Sequence, residues 1–255
     1  MNFLPALHGL RGLAAVLVLL FHWRTNFPAA GNALSKVELL GQPWNLMFLV
    51  DFGWIGVQWF FVLSGYLLGG VLWNQPLSGG VVVRFWQRRF ARIYPGLWFQ
   101  VLLLALFTSY TLLLKGLDPE RMRNNLLLWL HPLPGGSAPY NGVWWTLPIE
   151  LCFYLALPLC LVFYRRTGVW TTLFAAFAIS IAWRYSIVQT NADLGQLANL
   201  GMIRLLPGSL CLFLAGMALN HWQHAPGWRH THRALFAVTA LYLVWLYLLY
   251  LEPRG

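Results

Sequence analysis

The chain has 255 residues, of which 59% are hydrophobic and only 9% charged, with a formal net charge of +10 and a mean hydropathy of +0.60. This composition excludes an ordinary soluble domain and a disordered segment, and three cysteines are too few for a disulfide scaffold. An integral membrane protein remains, one whose excess of arginine serves topology and anionic lipid rather than nucleic acid.

Apolar runs close to the ~20 residues needed to cross a hydrocarbon core of about 30 Å recur along the chain. They predict an all-α, polytopic transmembrane helix bundle of about seven spans, near residues 7–23, 46–72, 93–114, 145–164, 168–187, 203–220 and 234–251. The whole chain reads as a single membrane domain. The first run, "LHGLRGLAAVLVLLFHW", could be taken for a cleavable signal, since small residues follow it at Ala29, Ala30 and Gly31. A histidine closing its apolar region favours a retained helix. At about 100° per residue, Arg11 and His22 fall on one face, roughly 16 Å apart along the axis. Ionisable groups inside a membrane are costly and usually line a bundle interior or a wet path. Snorkelling of either residue toward head groups is the plain alternative.

The second span holds "DFGWIGVQWFFVLSGYLLGG", bracketed by Asp51 and Ser64, whose glycines allow close helix packing or a broken helix lining a site. For Ser64, packing is the plain reading and donor binding the functional one. The basic stretch "RFWQRRFARIYP", with Arg84, Arg88, Arg89 and Arg92, is expected to be a cytoplasmic loop, as is the Arg165–Arg166 junction. The N-terminus is then cytoplasmic, and residues 24–45, 115–144 and 188–202 face outward. Lys115, Arg121 and Arg123 in the longest outer segment are partly offset by Asp118 and Glu120. "HPLPGGSAPYNG" is a Pro/Gly-rich outer loop.

Glu150, just inside the outer end of the fourth span, needs a partner. His22 lies at the same predicted depth, and a carboxylate beside an imidazole fixes its tautomer and supports general-base chemistry. Arg184 or Arg204 in a structural ion pair is the alternative. Asn141, Trp144 and Trp145, close to Glu150, are candidates for binding a sugar, although tryptophans at such depths commonly anchor the membrane interface. His221, His224, His230 and His232 have spacings that can serve metals, yet no acidic or cysteine ligand adjoins them, so no metal site is expected. Cys152, Cys160 and Cys211 all fall in predicted spans.

Arginine, ten residues, then histidine in the first span resembles the signature of the acyltransferase 3 family of integral membrane enzymes. "GVQWFFVLSGYLLG", "RRFARIYP" and "WTLPIELCFYLALP" are similar to three further motifs of that family, in the same order, and "RLLPGSLCLFLAGMAL" resembles a later span. The likeness runs from about residue 4 to 220. His8, Gln58 and Leu151 stand where the family has an aspartate, an acidic residue and a second acidic or amide residue. The family also has more spans, so a C-terminally shortened member or a fragment is expected.

The resemblance implies transfer of an acyl group, typically acetyl, from acyl-coenzyme A to a hydroxyl of a carbohydrate or lipid-linked glycan, in a bacterial plasma membrane and without a metal. Arg88, Arg89 and Arg92, with Ser64, would hold the donor, whose phosphates suit arginine forks. Arg11 would sit by that entrance. His22 would deprotonate the acceptor or briefly carry the acyl group, and Glu150 would orient it. A transporter, or a non-catalytic membrane partner, is the rival expectation, though no paired inverted repeat of the transporter kind is visible.

Overall fold

In the computed structural model, residues 5–29, 32, 35, 37–39, 42–45, 47–112, 118–131, 133–190 and 201–222 are described. The predicted span at 234–251 and three of the loop histidines, His224, His230 and His232, lie outside them. The described chain is almost entirely helical. Helix α1 covers Pro5–Asn26, with proline opening the first turn, where its missing N–H costs nothing. A short antiparallel hairpin follows, β1 (Val37–Leu39) pairing with β2 (Gln42–Trp44); with an isolated bridge between Leu130 and Ser137, it departs from an all-helical reading.

The second predicted span is broken. A single turn, α2 (Phe48–Asp51), is separated by Phe52, Gly53 and Trp54 from α3 (Ile55–Leu72). The third starts far earlier than expected: α4 is one helix over Gly79–Leu112, 34 residues with Pro95 inside. The basic stretch expected as a loop is therefore helical. Phe85, Trp86 and Phe90 recur among the arginines at helical spacing, so this half has an apolar side to pack. At 1.5 Å per residue α4 is about 50 Å long, well over the ~30 Å of a hydrocarbon core. Its arginine half can extend beyond the apolar layer without leaving the helix.

Helix α5 (Pro119–Leu127) begins where the Asp118 carboxylate accepts from the backbone N–H of Glu120 and Arg121, an N-cap followed by proline at the first position. A 3-10 turn at Gly142–Trp145 leads into α6 (Thr146–Thr167). Arg165 and Arg166 thus belong to the last turn of α6 rather than to a loop. Gly168, at φ +85°, is the single residue between α6 and α7 (Val169–Thr190), a backbone conformation that side chains resist. Helix α8 covers Leu206–Trp222.

Four stretches are long and apolar enough to cross a membrane among the described residues: Ile55–Leu72, Gly142–Thr167, Val169–Thr190 and Gly201–Trp222. The exposure pattern of α7 agrees with a lipid surround. Phe174 and Trp170 are 74% and 72% exposed while Thr172 and Ser180 are 2% exposed, so large apolar side chains face out and small polar ones face in. The Ser180 hydroxyl donates to the Pro207 carbonyl at 2.9 Å and accepts from the Cys211 N–H at 3.2 Å. Small residues and hydroxyls at contacts between helices, with bulky apolar residues outside, are the pattern of packing in lipid. The protein is an integral membrane protein.

The chain divides into two compact units, Met1–Leu63 with Leu219–Gly255, and Ser64–Ala218. In the first, a Cβ on Gly53 would lie 2.3 Å from the Leu17 carbonyl oxygen, and one on Gly56 2.5 Å from that of Ala14. Only glycine admits such approach of the second span to α1. In the second unit, Gly65 meets the Phe213 carbonyl and Gly69 meets Met217, four residues apart on α3. Beside them Phe153 and Phe213 stack at 4.1 Å.

Candidate active site

In the first unit the catalytic candidates share the inward stripe of α1. Ala14 is fully buried and Val18 9% exposed, whereas Leu13, Val16 and Leu19 are open to the surroundings. Arg11 and His22, both half-buried, continue the buried stripe by helical spacing, and the unbroken helix preserves their expected alignment. Gly53 and Gly56 press the chain onto this same face, between the two residues.

The His22 ring has Nδ1 2.7 Å from the Val18 carbonyl oxygen, one helical turn back. A backbone carbonyl can only accept, so Nδ1 must carry the hydrogen. In the neutral ring Nε2 then holds the lone pair. The tautomer that the sequence reading assigned to a carboxylate is therefore set by the helix's own backbone. The ring also meets Phe21 edge-on, with centroids 5.6 Å apart.

Two residues past His22 lies an ion pair that sequence reasoning missed. Arg24 Nε is 3.3 Å from Asp51 Oδ1, and the same guanidinium donates to the Pro28 carbonyl at 3.0 Å and Asn32 Oδ1 at 2.9 Å. Asn45 donates to the other Asp51 oxygen at 3.4 Å. This knot ties the end of α1 to α2. Its signal in the sequence was one acid and one base, each near the end of an apolar run.

The second unit gathers residues from three of the motif segments. Glu150, in the first turn and a half of α6, accepts at Oε1 from the Ser64 hydroxyl of α3 at 3.3 Å and from the Tyr154 hydroxyl, one turn along its own helix. The Tyr154 ring meets Phe85 of α4 edge-on at 6.3 Å. The Arg89 guanidinium lies 5.6 Å from the Phe85 ring centre and 5.9 Å from that of Tyr154. Trp86 Nε1 donates to the Tyr154 carbonyl at 2.9 Å, fixing α4 against α6. Ser64, Arg89 and Glu150 are thus brought together, with Tyr154 between them; the sequence reading did not name Tyr154.

Arg88 and Arg92 are exposed on α4, one turn apart, and form no ion pair among the described residues. The arginines considered as alternative partners of Glu150 are engaged elsewhere. Arg184 donates through Nε and Nη2 to the Gly208 carbonyl at 3.1 and 2.9 Å, and Arg204 lies over the Trp145 ring at 5.3 Å.

Of the sugar-binding candidates, Trp144 is 5% exposed and packs with Leu97, Val101, Leu128 and Leu130, its indole N–H donating to Gln100 Oε1 at 3.0 Å. Trp145 is half-buried. Asn141 is exposed and accepts the Val143 N–H at 3.1 Å, capping the 3-10 turn. The Pro/Gly-rich loop before it is built rather than loose. Asn125, fully buried, donates to the Arg121 and Ala138 carbonyls and accepts the Tyr140 N–H. Asn124 donates to the Gly135 carbonyl and Ser137 Oγ. His221 is exposed at the end of α8, and among the described residues no three metal-ligating side chains converge.

The long apolar helices define a polytopic membrane protein, one unit of which carries a half-buried histidine and the other a hydrogen-bonded carboxylate. The chain belongs to the acyltransferase 3 family: the sequence profile of that family, described as an acyltransferase domain, matches residues 4–253, beyond residue 220, where the motif likeness ends. Among curated relatives, the acyltransferase MdmB of Streptomyces mycarofaciens is 33% identical over 186 residues, which cover 70% of this chain and 44% of that protein. The peptidoglycan O-acetyltransferase OatA of Listeria monocytogenes is 28% identical over 182 residues, 65% of this chain and 25% of its own length. The chain thus spans less than half the length of either relative. No solved structure matches it.

Proposed function

We propose that this protein is a membrane-embedded O-acyltransferase that moves an acyl group, acetyl in the simplest case, from acyl-coenzyme A to a hydroxyl of a carbohydrate such as a cell-wall or lipid-linked glycan. Family membership supports the reaction class, and the name of the OatA relative supports a glycan acceptor. The observation that carries the residue assignment is the His22 Nδ1 contact with the Val18 carbonyl, which leaves Nε2 as the base.

In the reaction, Nε2 takes the proton of the acceptor hydroxyl as its oxygen attacks the thioester carbonyl. The C–S bond breaks as the ester forms, and the imidazolium returns the proton to the departing thiolate. Glu150, held by the Ser64 and Tyr154 hydroxyls, is assigned to the reaction as a fixed negative charge. Arg88, Arg89 and Arg92, with Ser64, take the donor, whose phosphates suit arginine forks, and Arg11 shares the buried stripe of α1 with His22. Trp145 and Asn141 contribute to the acceptor side, and Trp144 supports them from the core.

The proposal includes a bundle of about seven spans in a bacterial plasma membrane, in contact with its lipids, with the N-terminus cytoplasmic. The lengths of α1 and α4, 22 and 34 residues, support two crossings beyond the four apolar ones. Labelled acetyl-coenzyme A supplied to the protein in lipid nanodiscs tests the reading. Transfer of label with release of the free thiol is expected, and replacing Arg88 and Arg92 together by alanine should raise the donor KM about tenfold or more, the scale of charge-assisted contacts to phosphate. A protein that consumes no thioester with any hydroxyl acceptor, yet passes an ion or lipid across a vesicle, would favour transport and overturn the proposal.

A further inference from the structure

Two arginines have no part in the reaction described above. Arg184 of α7 donates through Nε and Nη2 to the Gly208 carbonyl and so reaches the start of α8. Arg204 stands in the turn just before that helix. Its guanidinium rests over the Trp145 ring at 5.3 Å and makes no ion pair among the described residues. The two positive charges are close enough to repel one another. The turn itself is firmly held. The Trp183 indole N–H donates to the Met202 carbonyl and the Ser209 hydroxyl to the Arg204 carbonyl, each at 2.8 Å, and a Cβ on Gly208 would lie 1.9 Å from the Ile203 carbonyl oxygen.

Like charges fixed together at the edge of a hydrocarbon layer are costly without an anion between them. A guanidinium stacked on an indole has one face covered and its forked N–H donors directed outward in its own plane, the geometry that takes a phosphate through two bonds. The direction of approach follows from α7. Ile181, Tyr185 and Val188 share the Arg184 side of that helix and are all exposed, so this is a lipid-facing surface rather than a water-filled cleft. Because α6 begins, α7 ends and α8 begins here, the three ends lie on one side of the membrane. Glu150 is five residues beyond Trp145, about 7–8 Å along the axis of α6.

We propose that Arg204, backed by the Trp145 ring and with Arg184 beside it, binds the phosphate of a lipid-linked acceptor and so brings the attached sugar to the end of α6 that carries Glu150. The inference rests on the acyltransferase reading and deepens it, since it makes the acceptor a glycan carried on a lipid phosphate. Soluble phosphate, the head groups of surrounding lipid and the carboxylate of Asp193, which lies outside the described residues, share the same chemistry, and the test separates them.

Labelled farnesyl diphosphate, a lipid-borne diphosphate without a sugar, is titrated against the protein in phosphatidylcholine nanodiscs, with empty discs as the blank. Saturable binding is expected, with uncharged farnesol a poor competitor. Arg204→Ala should weaken binding about tenfold or more, the scale of charge-assisted contacts, and Arg204→Lys, which keeps the charge but loses the fork, by less. With a lipid-linked glycan as acceptor, Arg204→Ala should raise the acceptor KM about tenfold and leave the donor KM within about twofold. Unchanged affinity in Arg204→Ala overturns the proposal. Equal competition by inorganic pyrophosphate overturns it in favour of soluble phosphate, and loss of binding when phosphatidylglycerol replaces part of the phosphatidylcholine overturns it in favour of a head-group site. A tenfold gain in affinity in Asp193→Asn would show that this acid already neutralises the arginines, and also overturns it. If farnesyl diphosphate binds through Arg204 while no thioester is consumed with any acceptor, the phosphate site stands and the acyltransferase reading falls. If acetyl transfer proceeds in Arg204→Ala at the parental acceptor KM, that reading stands and this proposal alone is lost.

Discussion

Replacing Gly65 by alanine should be among the most damaging single-methyl changes in the molecule. The added carbon would lie 1.8 Å from the Phe213 carbonyl oxygen and 2.7 Å from its carbonyl carbon. Both are backbone atoms of α8, so no side-chain rotation can relieve the clash. Ordinary contact begins near 3.4 Å, and α3 and α8 must therefore part by more than an ångström. The separation would also draw Ser64, the neighbouring residue, away from Glu150, and loosen the Phe153–Phe213 stack. Overpacking of a tight contact costs about 1–3 kcal/mol and more when backbone must move. We expect about 3 kcal/mol for Gly65→Ala, a fall in thermal midpoint of roughly 6–12 °C on the scale of a domain this size.

Two comparisons give that number meaning. A Cβ on Gly69 meets Met217 Cγ at 2.7 Å, the flexible part of a pliant side chain, so Gly69→Ala should cost about 1 kcal/mol or less. A Cβ on Gly12 meets nothing within 4 Å, and Gly12→Ala should be neutral or slightly stabilising through helix propensity. Thermal melting of the three variants in one detergent, followed by tryptophan fluorescence, orders them. Equal midpoints for Gly65→Ala and Gly12→Ala would refute the close approach of α3 to α8.

The remaining predictions concern other parts of the chain. Asn125→Leu should leave the Tyr140 N–H without its buried partner and the Ala138 carbonyl with Arg121 alone, costing about 1–3 kcal/mol, with accelerated proteolysis at residues 133–141 as the readout. Arg165 donates from one nitrogen to the carbonyls of Leu72, Trp73 and Gln75 at the end of α3. Being exposed, it should contribute only about 1–2 kcal/mol, so Arg165→Ala should lower the thermal midpoint by roughly 2–8 °C. Gly56→Ala, clashing with the Ala14 carbonyl on the stripe that carries Arg11 and His22, should reduce kcat at unchanged donor KM, measured in the labelled-acetyl assay.

The parts legible in the sequence were those that a helical period encodes. Arg11 and His22 sit on the buried stripe because a regular 22-residue helix leaves no other outcome once their spacing is given. Glu150 was marked by its scarcity, as a carboxylate in an apolar run. What bonds to it was not legible, because Ser64 and Tyr154 look like packing and aromatic filler until their helices are placed. The tautomer of His22 escaped for a related reason: a carbonyl of its own helix competes with any carboxylate, and nothing in a residue list displays backbone acceptors.

Charge misled in one place. Arginines between two apolar runs suggest a loop, but Phe85, Trp86 and Phe90 interleave with Arg84, Arg88, Arg89 and Arg92 so that α4 runs through without a break. Arg165 and Arg166 were drawn into α6 in the same way. Trp144 illustrates the opposite ambiguity, since a tryptophan near an outer end can anchor an interface, face a sugar or fill a core, and here its ring fills the core while its N–H meets Gln100.

Single-turnover transfer of labelled acetyl from acetyl-coenzyme A to a soluble glycan acceptor, compared for the parent and His22→Ala in identical nanodiscs, tests the assignment of the base most directly. The rate should fall about 100- to 10,000-fold, the usual worth of a positioned base, with donor binding and thermal midpoint unchanged. A variant that transfers acetyl at the parental rate would contradict it.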